Sequence, residues 1–103
     1  MKNKTSIRYF NDMPVRASWD EETSLWLYSA VDIVYVLTHS KSPRKYWNMF
    51  KKRNEEIVAF CKQRKMISSD GKYYLSETIN EDGINYLLMS IPSKYKMSFT
   101  LLV

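Results

Sequence analysis

Asn11-Asp12 stands between two short runs of strand-forming residues, and that placement leaves the start of the chain few ways to fold. Ser6-Ile7-Arg8-Tyr9-Phe10 alternates in part, and Pro14-Val15-Arg16-Ala17-Ser18-Trp19 follows the pair. Asn and Asp tolerate the positive φ that tight hairpin turns require, so the two runs are expected to pair antiparallel. Asp20-Glu21-Glu22-Thr23 is a second polar turn, and Leu25-Trp26-Leu27-Tyr28 a third short strand. An antiparallel meander over residues 6–28 follows.

The next segment, 29–38, is rich in β-branched residues (Val31, Ile33, Val34, Val36), which suit a buried strand as well as a helix. Ser29 followed three residues later by Asp32 has the spacing of a capping box and puts a carboxylate at a helix N-terminus. A short buried helix is expected, with Asp32 in a structural role. Ser42-Pro43 is a stronger start signal: Ser at the N-cap, and Pro at the first helical position, where its missing N–H costs nothing. It predicts a helix from Pro43 to about Asn54.

Further on, 55–61 can prolong that helix, and Lys62–Ser68 with Tyr73-Tyr74-Leu75 form a hairpin around Asp70-Gly71. Thr78 and Glu81 match a second capping box, with Ile79, Ile84, Leu87, Leu88 and Ile91 at helical spacing. Pro92 closes that helix. Tyr95, Phe99 and Leu102 then predict a last short helix over 93–103.

With 103 residues, only two Gly and three Pro, and no internal repeat, the chain fits one domain over 1–103 without flexible linkers. The hydrophobic fraction of 45%, including 15% aromatics, supplies enough buried area to offset chain entropy. The fold class expected is α+β, a small antiparallel sheet packed with three to four short helices. The apolar stretch Ala30–Leu37 carries Asp32 and is too short to span a bilayer. No signal-peptide pattern opens the chain, so a cytoplasmic setting without a membrane partner is expected.

One Cys and one His leave no internal disulfide, no Cys/His zinc site and no Cys/His pair other than one using His39. Cys61 follows Ile57-Val58-Ala59-Phe60 and is expected as a buried structural thiol. His39 is expected as a surface group at a helix C-terminus. With Gly71 and Gly83 the only glycines, no Gly-rich phosphate loop exists, and Asp20, Glu21 and Glu22 imply a turn rather than a cleft. No catalytic residue, metal or cofactor is expected.

Charge is the informative quantity. The chain carries +5, yet 41–65 holds nine basic residues against Glu55 and Glu56, a net +7. On a helix over 43–54, with successive side chains rotated by roughly 100°, Tyr46, Trp47, Met49 and Phe50 share one arc and Arg44, Lys45, Asn48, Lys51 and Lys52 the opposite one. Arg53 sits at its edge, and Lys41 just precedes the helix. The aromatics are expected in the core, and the polar face is cationic throughout.

Several pieces of this chain together resemble the Bro-N domain, the N-terminal module of baculovirus repeated-ORF proteins and of many phage antirepressors. They are Trp26-Leu27-Tyr28-Ser29 with Val31-Asp32-Ile33, Leu37-Thr38 with Ser40-Lys41-Ser42-Pro43-Arg44-Lys45-Tyr46-Trp47, Asp70-Gly71-Lys72, and Ser90-Ile91-Pro92-Ser93. The likeness runs over about residues 7–95. It implies a compact α+β domain that binds DNA in transcription control, usually as the front half of a longer protein. By motif, the family's basic segment falls on Lys41, Arg44, Lys45, Lys51, Lys52 and Arg53, and more loosely on Lys62, Arg64 and Lys65.

The expected function is therefore DNA binding in a prophage-type antirepressor or transcription regulator. The contact residues are Lys41, Arg44, Lys45, Asn48, Lys51, Lys52 and Arg53, with Asn48 placed to read adenine edges. Double-stranded DNA is the expected partner. The alternative is a protein-interaction module that sequesters a repressor through the same basic face, since charge complementarity steers proteins as well as DNA.

Overall fold

The computed structural model describes residues 4–91 and the backbone of 101–102. Among them, six strands form one fully antiparallel sheet in the order β4-β5-β3-β2-β1-β6, with three α-helices and a 3-10 helix. The expected α+β class holds.

Strands β1 (Thr5–Phe10) and β2 (Met13–Asp20) pair from Phe10↔Met13 to Thr5↔Ser18. Their turn puts Asn11 at φ 52° and Asp12 at φ 64°, the left-handed region those two residues tolerate. Strand β3 (Leu25–Ser29) completes the meander with Ala17 opposite Tyr28 and Trp19 opposite Trp26.

Helix α1 (Ala30–Thr38) starts directly from β3. The Ser29 hydroxyl accepts from the Asp32 amide at 3.2 Å, so half of the expected capping box forms. The Asp32 carboxylate goes instead to Arg16, accepting from its backbone N–H at 3.0 Å and from its guanidinium at 2.8 and 3.0 Å. This ties α1 to β2 beyond the end of β3. Ile33, Val34, Val36 and Leu37 are fully buried, which is why a β-branched run is stable as a helix here: tertiary burial outweighs propensity. His39 ends α1 at φ 54° with its ring stacked on Tyr35.

Helix α2 (Pro43–Arg53) begins at the predicted Pro and stops one residue short of the expected end. The Asn54 side chain donates to the Phe50 carbonyl at 3.1 Å, satisfying a C-terminal acceptor. A separate 3-10 helix, Glu55–Phe60, follows in place of a continued α-helix. Strands β4 (Cys61–Ile67) and β5 (Tyr73–Ile79) form the predicted hairpin, with Gly71 at φ 84° in its turn. Only the base of this hairpin joins the rest of the sheet, through Tyr28↔Ile79 and Ser29↔Thr78.

Two expectations are corrected. Thr78 and Ile79 belong to β5 and do not open a helix: Ile79 pairs with both Tyr28 and Cys61, and the Thr78 hydroxyl donates to the Lys62 carbonyl at 2.7 Å. Helix α3 (Glu81–Ser90) is capped instead by Asn80, whose side chain accepts from the Gly83 amide at 2.9 Å. Gly83 is required there, because a Cβ would lie 2.9 Å from the Ile79 Cβ and 3.0 Å from the Phe60 Cβ. The expected helix over 93–103 falls outside the described residues except at Leu101–Leu102. Those two form strand β6, pairing with Phe10 and Tyr9 rather than turning helical.

The core gathers Phe10, Val15, Ala17 and Tyr28 from the sheet with Ile33, Leu37, Trp47, Phe50, Ile57, Ile84 and Leu87 from the helical side. No helix among the described residues is long and apolar enough to cross a membrane.

Candidate nucleic-acid interface

Helix α2 is held down by its aromatics. Trp47 is 1% exposed and Phe50 7%, their rings stacked at 6.2 Å, and Phe50 meets Tyr86 of α3 edge-on. Tyr46 is half-buried against the same core. Met49 departs from the expected arc: it is 44% exposed, on the flank beside Arg53. The buried arc is therefore narrower than the sequence suggested, and the solvent arc wider.

On that solvent arc the structure places Arg44, Lys45, Asn48, Lys52 and Arg53, with Lys41 in the preceding loop, all exposed. None of these five helix residues or Lys41 forms an ion pair among the described residues. The placement of Lys51 with them does not hold. Its ammonium pairs with the Glu77 carboxylate on β5 and lies 5.6 Å from the centre of the Trp47 ring. Glu77 also accepts from the Trp47 indole N–H at 2.8 Å. Burial pushes the Glu77 carboxyl up, but the hydrogen bonds from Lys51 and Trp47 outweigh it and hold the group below its usual value. Lys51 thus fastens α2 to the hairpin and leaves the outward-facing set.

The basic residues of β4 divide in the same way. Lys62 donates to Asp20 and to Glu22, both at 3.0 Å, while Arg64 donates to the Trp19 carbonyl at 3.0 Å and to Asp20 at 3.4 Å. Asp20 is 2% exposed and also accepts from the Thr23 hydroxyl at 2.8 Å. The Lys62 ammonium, with help from Thr23, holds its carboxyl below the usual range against the cost of burial. These contacts curl the hairpin over the outer side of β2, where the Arg16 guanidinium also donates to the Ile67 carbonyl at 2.9 Å. Lys62 and Arg64 are structural.

Between α2 and the hairpin lies a cleft of about 140 Å³, lined by Arg44, Trp47 and Asn48 on one side and by Gln63, Leu75 and Glu77 on the other. A shallower depression continues from it past Ser42, Pro43 and Lys45 at the start of α2. Arg44 and Asn48 line both.

No family model, no curated protein and no solved structure matches this chain.

Cys61, the lone cysteine, is half-buried and its thiol donates to the Ile57 carbonyl at 3.4 Å. Burial pushes it up to about 11, so it stays protonated and unreactive at neutral pH. No cluster of metal-ligating side chains occurs among the described residues. Sequence reasoning missed the contribution of Gln63 to the cleft. The Asp70-Gly71 pair did not supply that signal: a two-residue turn there would set Gln63 opposite Thr78, whereas the ladder closes at Ser68 and Lys72 and sets Gln63 opposite Glu77, on the face of Lys65 and Leu75.

Proposed function

We propose that this domain binds double-stranded DNA through the outward face of α2, as the DNA-contacting module of a prophage-type antirepressor or transcription regulator working in the cytoplasm. The observation that carries the reading is the uncompensated charge: Lys41, Arg44, Lys45, Lys52 and Arg53 lie on one helix and its lead-in, all exposed and without an acidic partner among the described residues. Such a face satisfies the electrostatic requirement of phosphate contact, while Asn48, between Arg44 and Lys52 on that face, offers an amide to base edges. The likeness of the motifs to Bro-N domains supports the same reading.

Five neutralised phosphates release their counterions, so log K should fall against log salt with a slope near −4 to −5. Fluorescence anisotropy of a labelled random duplex across a salt series measures it. Tight, salt-steep binding supports the proposal. Absence of binding at low salt by the folded protein contradicts it and directs attention to an acidic protein partner for the same face.

A further inference from the structure

Helix α2 supplies only one wall of the cleft, and the opposite wall has chemistry of its own. On β4 and β5, Gln63 lies opposite Glu77 and Lys65 opposite Leu75, so these four side chains share the face on which Glu77 meets α2. Gln63 and Lys65 are exposed, and neither makes a side-chain hydrogen bond or ion pair among the described residues. Leu75 is 65% exposed in the same wall, with Tyr73 next along that face at 56%. Such a strip of cation, amide and exposed apolar side chain is not what holds the hairpin down. That work is done by Glu77 at the base of the strip, through Lys51 and Trp47, and from the other face by Lys62 and Arg64 on Asp20 and by the buried Met66.

We propose that the β4–β5 hairpin is the second wall of the nucleic-acid cleft, with Lys65 contacting a phosphate across from those held by α2 and Gln63 facing base edges beside Asn48. The inference rests on the nucleic-acid reading of α2 and extends it to a bipartite footprint. The free space, about 140 Å³, admits part of a nucleotide and not a helix, so the duplex lies across the mouth with one edge entering. Charge complementarity selects this occupant: Arg44 in the cleft, Lys45 in the adjoining depression and Lys65, beside Leu75 at the rim, make no ion pair among the described residues, while the Glu77 carboxylate in the cleft is already taken by Lys51. Leu75 adds an apolar surface of the kind that packs on sugars or a thymine methyl.

The test compares duplex salt slopes for the wild type, Lys65→Met and Lys4→Met, with melting temperatures checked. Lys4 matches the charge change but lies outside the cleft, with its ammonium 5.2 Å from the centre of the Trp19 ring. Lys65→Met should flatten the slope by about 0.9, one phosphate contact, while Lys4→Met leaves it unchanged. In selection from a randomised duplex pool, Gln63→Ala should lose about tenfold discrimination at one base pair. If the wild type binds and variants of α2 weaken it, but Lys65→Met and Gln63→Ala behave as wild type, the hairpin is not a wall and the reading of α2 stands alone. If the folded wild type binds no duplex, both fall.

Discussion

The outward face of α2 and the inner face of β4 come from the same basic stretch of sequence, yet their charges meet opposite fates. Arg44, Lys45, Lys52 and Arg53 project into solvent unpaired, whereas Lys62 and Arg64 converge on the buried carboxylate of Asp20. A local charge count therefore overstates what is available to a partner. What matters is how much of that charge the fold itself consumes, and an ion pair made with a buried group is costly to break because its partner is left desolvated.

The largest expected effect is on the consumed side. Asp20→Ala removes the acceptor shared by Thr23, Lys62 and Arg64, and should destabilise the domain by about 3 kcal/mol in urea unfolding. Retained wild-type stability would mean that the hairpin is not anchored there.

Acid should act on the same point. The native Asp20 carboxyl titrates below its unfolded value near 3.9, so between those two values the unfolded chain binds more protons. Its contribution is fully present above about pH 4 and is lost as pH falls through the native value. Glu77 is shifted in the same direction and adds to the trend. Urea midpoints from pH 7 to pH 3 should therefore drop at the acid end, and Asp20→Asn should make the drop shallower.

Lys51→Ala sharpens the comparison within a single helix. Because Lys51 is engaged with Glu77, its loss should cost under about 1 kcal/mol of stability and leave the duplex salt slope unchanged. A slope that flattens by a full contact would return Lys51 to the binding face. Smallest of all is the stability effect of altering the free face: Arg44→Glu/Lys45→Glu/Lys52→Glu should move unfolding by no more than about 0.5 kcal/mol per site.

Much of the fold was legible because turn and cap chemistry is local. Asn11-Asp12, Ser29 with Asp32, Ser42-Pro43 and Asp70-Gly71 each marked the right boundary. The start of α3 was not legible, since Thr78 and Glu81 have capping spacing while the ladder to Tyr28 and Cys61 extends β5 past Thr78. The site shows the same division. Helical periodicity identified the cationic arc, but it cannot see Glu77 arriving from β5 to take Lys51, or Asp20 from β2 to take Lys62 and Arg64. Those partners lie 26, 42 and 44 residues away along the chain.

The most direct test of the central claim is duplex anisotropy across a salt series for the wild type beside Arg44→Glu/Lys45→Glu/Lys52→Glu, both shown to be folded by circular dichroism. The expected wild-type slope is near −4 to −5 from α2 and its lead-in, steeper by about 0.9 where Lys65 also meets a phosphate, and the variant should lose about 2.7 of it, the share of three phosphate contacts. Equal slopes in the two proteins, or a folded wild type that ignores DNA at low salt, would contradict it.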